Sequence, residues 1–220
     1  MQVVVIPAYN EAQKIGRVIR GLFEHGFTHV VVVDDGSTDD TAGEARSSGA
    51  TVLRHAVNRG QGAALQTGNE YALLSGAKLV IHFDADEQFN PADIAPAIEA
   101  LTVARADVLF GSRFLDTRSQ VPWFKRLAIL PVARVLNYFF TGLYLSDAHN
   151  GFRILTRSAI EKIVIRYDGM AHNTDIVRQV HTNALPFIEF PVEVTYHEYG
   201  QGLRGGIRII ADLIFGSFIN

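Results

Sequence analysis

Apolar residues in this chain fall into short β-branched runs, and stretches of helical period lie between them. Val3–Ile6 is a run of the kind that forms a strand buried on both faces. Beyond Asn10, residues Ile15, Val18, Ile19 and Leu22 share one helical face. Asn10 and Gln13 have the spacing of a capping box and predict the start of that helix. The pattern then recurs. Val30–Val33 predicts a strand, Ala42–Ser48 a short helix and Thr51–Arg54 a third strand. A glycine-rich stretch from Asn58 leads into a helix, and Lys78–Phe83 predicts a fourth strand. Pro91 sits in the first turn of the next helix, where a missing N–H costs nothing, and Asp107–Phe110 predicts a fifth strand.

Strands alternating with helices predict an α/β fold with a mostly parallel central sheet flanked by helices on both faces. Ligands of such sheets bind beyond the carboxyl ends of the strands. The polar motifs lie there: Pro7-Ala8-Tyr9-Asn10-Glu11 after the first strand, Asp34-Asp35-Gly36-Ser37 after the second, and Asp84-Ala85-Asp86-Glu87-Gln88 after the fourth. No tandem repeat or low-complexity linker interrupts the chain, so 220 residues predict one domain.

The second half is less regular and richer in aromatics and arginine. Leu127–Leu145 is apolar enough to suggest a membrane, but Pro131, Arg134 and Asn137 interrupt it. A central arginine is costly in hydrocarbon, so the expectation is a helix lying on the protein or on a membrane surface. Trp123, Lys125 and Arg126 just before it suit an anionic membrane surface, or form a solvated basic turn. Near the end, Ile207, Ile210 and Ile214 recur at helical spacing. That segment is expected to dock on the domain, on a membrane or on a second subunit, which makes a homo-oligomer one arrangement open to the chain.

Composition narrows the function. Net charge is −3 with 20% charged residues, so no global field draws in nucleic acid. With no cysteine there are no disulfides and no zinc–thiolate sites, which fits a reducing compartment. The first residues lack a signal-like core, and the expected location is cytoplasmic, or peripheral on the cytoplasmic face of the membrane. No H-E-x-x-H or G-x-S-x-G motif is present, which argues against a zinc hydrolase and a serine hydrolase of those types.

Asp84, Asp86 and Gln88 alternate in an extended segment and are expected to converge, with Glu87 pointing elsewhere. Oxygen ligands without His or Cys suit Mg²⁺ or Mn²⁺, which also take substrate phosphates as ligands; a solvated acidic turn is the bland alternative. Asp34 and Asp35 read either as a turn and helix cap or as partners for a nucleotide's base or ribose. Gln61 and Gly62 lie in a glycine-rich loop that can approach phosphates or serve close packing. Arg113 and Arg153 follow strand-like runs and can hold phosphates or act as structural ion-pair partners.

As an ordered set, these stretches closely resemble family 2 glycosyltransferases of the GT-A fold. The set comprises "VVVIPAYNEAQKIGRVI", "VVVDDGSTDDT", "NRGQGAALQTGNEYA", "HFDADEQFNPADI", "GSRF" and "DAHNGFRIL". They look most like the branch of dolichol-phosphate mannose synthase and bacterial polyprenyl-phosphate sugar transferases. The resemblance implies a Rossmann-like nucleotide-sugar-binding half over 1–110, an acceptor half over 111–200 and a C-terminal amphipathic segment over 201–220. It implies that Pro7, Tyr9, Glu11, Asp34, Asp35, Gln61, Gly62, Asp84, Ala85 and Asp86 line the nucleotide site. Asp84, Asp86 and Gln88 match the metal and diphosphate motif, and Arg113 and Arg153 match positions near an acceptor phosphate. Asp147 matches the aspartate of the D-x-x-S-G-F-R pattern. Departures fall on the acceptor side: Asn150 replaces Ser, Asp175 stands where Glu is common, and His197 stands for Arg with Arg204 nearby.

The implied reaction is inverting, metal-dependent transfer of a sugar from a UDP- or GDP-sugar. The acceptor is a polyprenyl or dolichyl phosphate, or a cell-surface glycan. A hydroxyl acceptor needs a base, for which Asp147 is the first candidate and Asp175 the second. The rival readings are a sugar-phosphate nucleotidyltransferase and a non-catalytic nucleotide-binding module. The first should open on a glycine-rich loop with Arg and Lys, which "PAYNEAQK" lacks.

Overall fold

A computed structural model of the protein describes residues 1–119 and 130–195. Trp123, Lys125, Arg126, His197, Arg204 and the C-terminal isoleucines lie outside them. Strand β1 (Gln2–Ala8) lies inside a seven-stranded sheet. It pairs in parallel with β2 (Val30–Asp34) on one side and β4 (Leu79–His82) on the other. β3 (Thr51–Arg54) adds in parallel to β2 and forms one edge.

β-Branched side chains suit strands packed on both sides, and alternation sends them to opposite faces. Val4 and Ile6 join one apolar cluster, with Ile15, Ile19 and Leu22 of α1 (Ile15–Glu24), Ala45 of α2 (Thr41–Ser47) and Leu101 of α4 (Ile94–Ala104). Val3 and Val5 join the other, with Ala64 and Leu65 of α3 (Gln61–Leu74), Ile160 of α6 (Arg157–Lys162) and Ile176 of α7 (His172–Thr182). The result is the α/β sheet with helices on both faces that the pattern predicts.

Three local details differ from expectation. The capping box does not form: α1 begins at Ile15, and its cap, Lys14, makes no side-chain capping bond. Asn10 instead has φ +57°, and its Oδ1 accepts from the Thr38 N–H at 2.9 Å. That bond ties the first polar loop to the second. Next, a 3₁₀ turn (Pro91–Asp93), capped by the Asn90 side chain, precedes α4. Finally, Arg153 does not follow a strand but opens one. β6 (Arg153–Thr156) inserts antiparallel between β4 and β5 (Val108–Ser112), and β7 (Phe187–Pro191) adds in parallel beyond β5. The strand order is therefore β3-β2-β1-β4-β6-β5-β7.

Helix α5 (Leu130–Thr141) packs against α7. Asn137 and Thr141 are buried, whereas Val135, Tyr138, Phe139 (78% exposed), Phe140 and nearby Tyr144 face outward. No described helix is long and apolar enough to cross a membrane.

Candidate active site

The carboxyl ends of β1, β2 and β4 open onto a cavity of about 390 Å³. Pro7, Tyr9 and Glu11 line it after β1, Asp35 after β2, and Asp84, Ala85 and Asp86 after β4. Asn58, Gly60, Gln61 and Ala64 complete it from the glycine-rich loop and the start of α3. Most of the residues assigned to a nucleotide site thus share one wall or another of a single cavity.

Asp34 and Gly62 do not line it. Asp34 is fully buried; it accepts from the Ser37 N–H at 3.0 Å, and its Oδ2 lies 3.0 Å from Arg54 Nε. These contacts fold the turn. Gly62 donates its N–H to the Asp168 carbonyl, and a Cβ there would stand 2.0 Å from the Tyr167 carbonyl oxygen. Close packing by itself calls for a glycine here.

Asp35 is buried, and its carboxylate accepts from the backbone N–H of Arg59 at 3.0 Å and of Gly60 at 2.6 Å. His55 Nδ1 lies 2.7 Å from its Oδ1. The amides of the glycine-rich loop are therefore directed at Asp35. Gly60 adopts φ +105°, which an L side chain rarely takes.

At the tip of β4, Asp84 accepts from Gln61 Nε2 at 3.1 Å. Gly151 backs it so closely that a Cβ would stand 2.4 Å from Asp84 Oδ2. Burial, and then the neighbouring Asp86 charge, push Asp84 up to about 7, against the pull of Arg153 and Arg113. Asp86 also accepts from the Gln88 N–H at 3.0 Å. Gln88 is not among the lining residues, and its carbonyl accepts from the Thr195 N–H. Glu87 turns away, at φ +67°, to pair with Arg17. Burial raises the pKa of Glu11 despite the opposing charge of Lys14.

Two crowded carboxylates, one of them held toward its neutral form, are the electrostatics that a divalent cation relieves. The described residues contain no group of three His, Asp or Glu placed to hold a metal unaided. The set fits Mg²⁺ or Mn²⁺ that completes its oxygen shell with water and diphosphate.

Beyond β5 and β6 lies a second polar cluster. Arg113 Nε and Nη2 donate to the Asp147 carboxylate at 2.7 and 2.8 Å, and the Arg113 N–H also donates to it. Burial alone would raise the pKa of Asp147; the hydrogen bonds and charge of Arg113 outweigh it and hold that pKa below the usual carboxylate value. Arg153 is completely buried. Its Nη2 donates to Asn173 Oδ1 at 2.5 Å, while Nε and Nη1 have no hydrogen-bond partner among the described residues. Burial lowers it to about 10, although Asp84 and Asp147 pull the other way. Burial and the Arg153 charge likewise hold His172 down to about 4. Burial lowers His149 too, against the charge of Asp147.

Asp175 stands apart, in the first turn of α7. It is buried and engaged by Arg178 Nη2 at 3.0 Å and Gln179 Nε2 at 2.8 Å. Sequence reasoning gave no role to His55, His172 or Asn173. His55 directly follows β3, so the strand-end rule that located the other polar motifs also points to it.

This arrangement has the architecture of the GT-A glycosyltransferases. Glucosyl-3-phosphoglycerate synthase from Mycobacterium tuberculosis, solved with Mn²⁺, UDP-glucose and phosphoglyceric acid, superimposes with TM-score 0.68. The two share 19% identity, and the match covers 100% of this chain and 80% of that one. The profile of glycosyl transferase family 2 matches residues 3–164, and the chain belongs to that family. Among its relatives is the UDP-N-acetylglucosamine–dolichyl-phosphate N-acetylglucosaminyltransferase of Methanococcus voltae, 28% identical across 96% of this chain and 92% of its own length. Another is the polyprenol monophosphomannose synthase of Mycolicibacterium smegmatis, 28% identical across 94% and 82%. The protein is thus a glycosyltransferase of the dolichol-phosphate mannose synthase branch, and the nucleotidyltransferase and binding-module readings are set aside.

Proposed function

We propose that this enzyme transfers a sugar, with inversion, from a UDP- or GDP-sugar to a polyprenyl-type lipid phosphate. The observation that carries this reading is Arg153, a buried guanidinium whose Nε and Nη1 have no hydrogen-bond partner among the described residues. A buried cation without a hydrogen-bonded counter-ion is costly, and an anionic ligand offsets that cost. An arriving phosphate fits; a neutral hydroxyl does not.

Asp84 and Asp86 are the residues that would hold Mg²⁺ or Mn²⁺, with Gln61 steadying Asp84. A cation held there would supply Lewis-acid stabilisation of the departing diphosphate. Tyr9, Asp35 and the loop around Gly60 receive the nucleoside. Arg113, aimed by Asp147, and Arg153 orient the acceptor phosphate. A phosphate oxygen lone pair attacks the anomeric carbon from the face opposite the diphosphate. The carbon–oxygen bond to the diphosphate breaks and its electrons leave with that group. An ionised phosphate has no proton to lose in this step, so no general base is needed. Asp147 and Asp175, both engaged by other side chains, act as positioning groups.

The outward aromatics of α5 supply the lipid side, since Tyr and Phe at a polar–apolar boundary suit a membrane interface. The enzyme works as a peripheral protein at that surface.

A donor screen with UDP- and GDP-sugars, Mn²⁺ and a polyprenyl phosphate, followed by product mass, tests the proposal. The expected product is a lipid phosphate heavier by one sugar residue. Transfer to hydroxyl acceptors alone would overturn it.

A further inference from the structure

One imidazole joins the ends of β2 and β3 to α3, beside the cavity. His55 follows the last residue of β3, and its backbone N–H donates to the Asp34 carbonyl at 2.9 Å. Its Nδ1 lies 2.7 Å from Asp35 Oδ1, beyond β2, and its Nε2 lies 2.9 Å from Thr67 Oγ1, on α3. Asp35 in turn takes the N–H groups of Arg59 and Gly60. His55 is not among the residues that line the cavity, whereas Asp35, Asn58, Gly60 and Gln61 are.

The direction of these bonds follows the protonation of the imidazole. Neutral His55 donates from Nδ1 to the carboxylate and accepts at Nε2 from the Thr67 hydroxyl; the imidazolium donates at both ends. Either way the Asp35 carboxylate is held, and with it the two amides that keep the 58–61 segment over the cavity. Without the imidazole, Asp35 and Thr67 each lose a partner in a largely buried setting. The backbone bond to Asp34 remains, so the end of β3 stays in place while the side-chain clamp is lost.

We infer that His55 is a positioning residue for the nucleotide, fixing Asp35 and the 58–61 segment in the shape that receives a nucleoside diphosphate. This rests on the reading that the cavity binds such a donor. The clamp preorganises the site before substrate arrives, and it does not touch the bond that breaks. Its effect therefore falls on binding, not on the chemical step.

The test is calorimetric titration of UDP and of GDP, with Mn²⁺, into the wild-type chain and into His55→Ala, Thr67→Val and Thr67→Ser, alongside steady-state kinetics. His55→Ala is expected to weaken the preferred nucleotide by about tenfold or more and raise donor KM in step, with kcat within about twofold. Thr67→Val shifts affinity the same way by less, and Thr67→Ser restores it. In the double variant His55→Ala/Thr67→Val, the two losses do not add. Unchanged affinity in His55→Ala, or a fall in kcat with KM constant, overturns the inference. Should His55→Ala fail to fold, wild-type affinity in Thr67→Val overturns it instead. A wild-type chain that binds neither UDP nor GDP overturns the nucleotide reading itself.

Discussion

Both carboxylate oxygens of Asp147 meet the guanidinium of Arg113, Oδ2 at 2.7 Å from Nε and Oδ1 at 2.8 Å from Nη2. Asp147 therefore aims an arginine and is a poor proton acceptor. Asp147→Asn keeps the shape but loses the charge and one acceptor. It should lower kcat/KM for the lipid phosphate by about a hundredfold, with nucleotide affinity unchanged. The acid limb of the pH–rate profile should stay where it is. A limb that moves would mark Asp147 as a base.

Asp84→Asn and Asp86→Asn each remove one negative charge from the pair at the tip of β4. Each should cost about a thousandfold or more in turnover. In calorimetry, Mn²⁺ should then no longer tighten nucleoside diphosphate binding. Variants with full activity and no metal dependence would remove the electrostatic basis of the mechanism.

Gly151 lies where a methyl group would stand 2.4 Å from Asp84 Oδ2. Gly151→Ala must displace that carboxylate. We expect a loss of about 1–3 kcal/mol in denaturant unfolding and weaker Mn²⁺ binding. Wild-type metal affinity in the variant would show that Asp84 relaxes without consequence.

His172 is buried, and its pKa is lowered from 6.5 to about 4 by burial and by Arg153. The unfolded chain takes up this proton near pH 6.5, while the folded chain does so only near pH 4. Stability from this group is therefore complete above about pH 6.5 and declines as pH falls toward 4. The full effect is on the order of 3 kcal/mol. Melting curves from pH 4 to 7 should show a shallower acid decline in His172→Gln than in wild type. Parallel curves would contradict this.

Phe139 and Phe140 stand exposed on α5. The double change to serine should reduce co-sedimentation with anionic vesicles by about tenfold or more, while UDP or GDP binding persists. Equal sedimentation of the two proteins would detach α5 from the membrane.

The first half of the chain was the more legible in sequence because each of β1 to β4 is a local β-branched run ending in polar residues. Thr51–Arg54 matches β3 to the residue. The opposite half was opaque for a physical reason. β6 is only Arg-Ile-Leu-Thr, and its strand character comes from pairing with β4 and β5, partners far away in the chain. Asn10 misled because its side chain serves a loop 28 residues distant instead of its own helix. His55 stands at a strand end but carries no motif, and Asn173 has neither signal, so their partners, Asp35 and Arg153, are what give them a place in the site.

The chain leaving β5 and the chain approaching β6 meet at a clamped neck. Ser112 and Ser146 touch there through their hydroxyls, and the next residue on each side forms the Arg113–Asp147 pair. Because the neck is closed, the chain is pinned beside the end of β5 on both sides of the intervening segment, and the Arg113–Asp147 pair is held there with it.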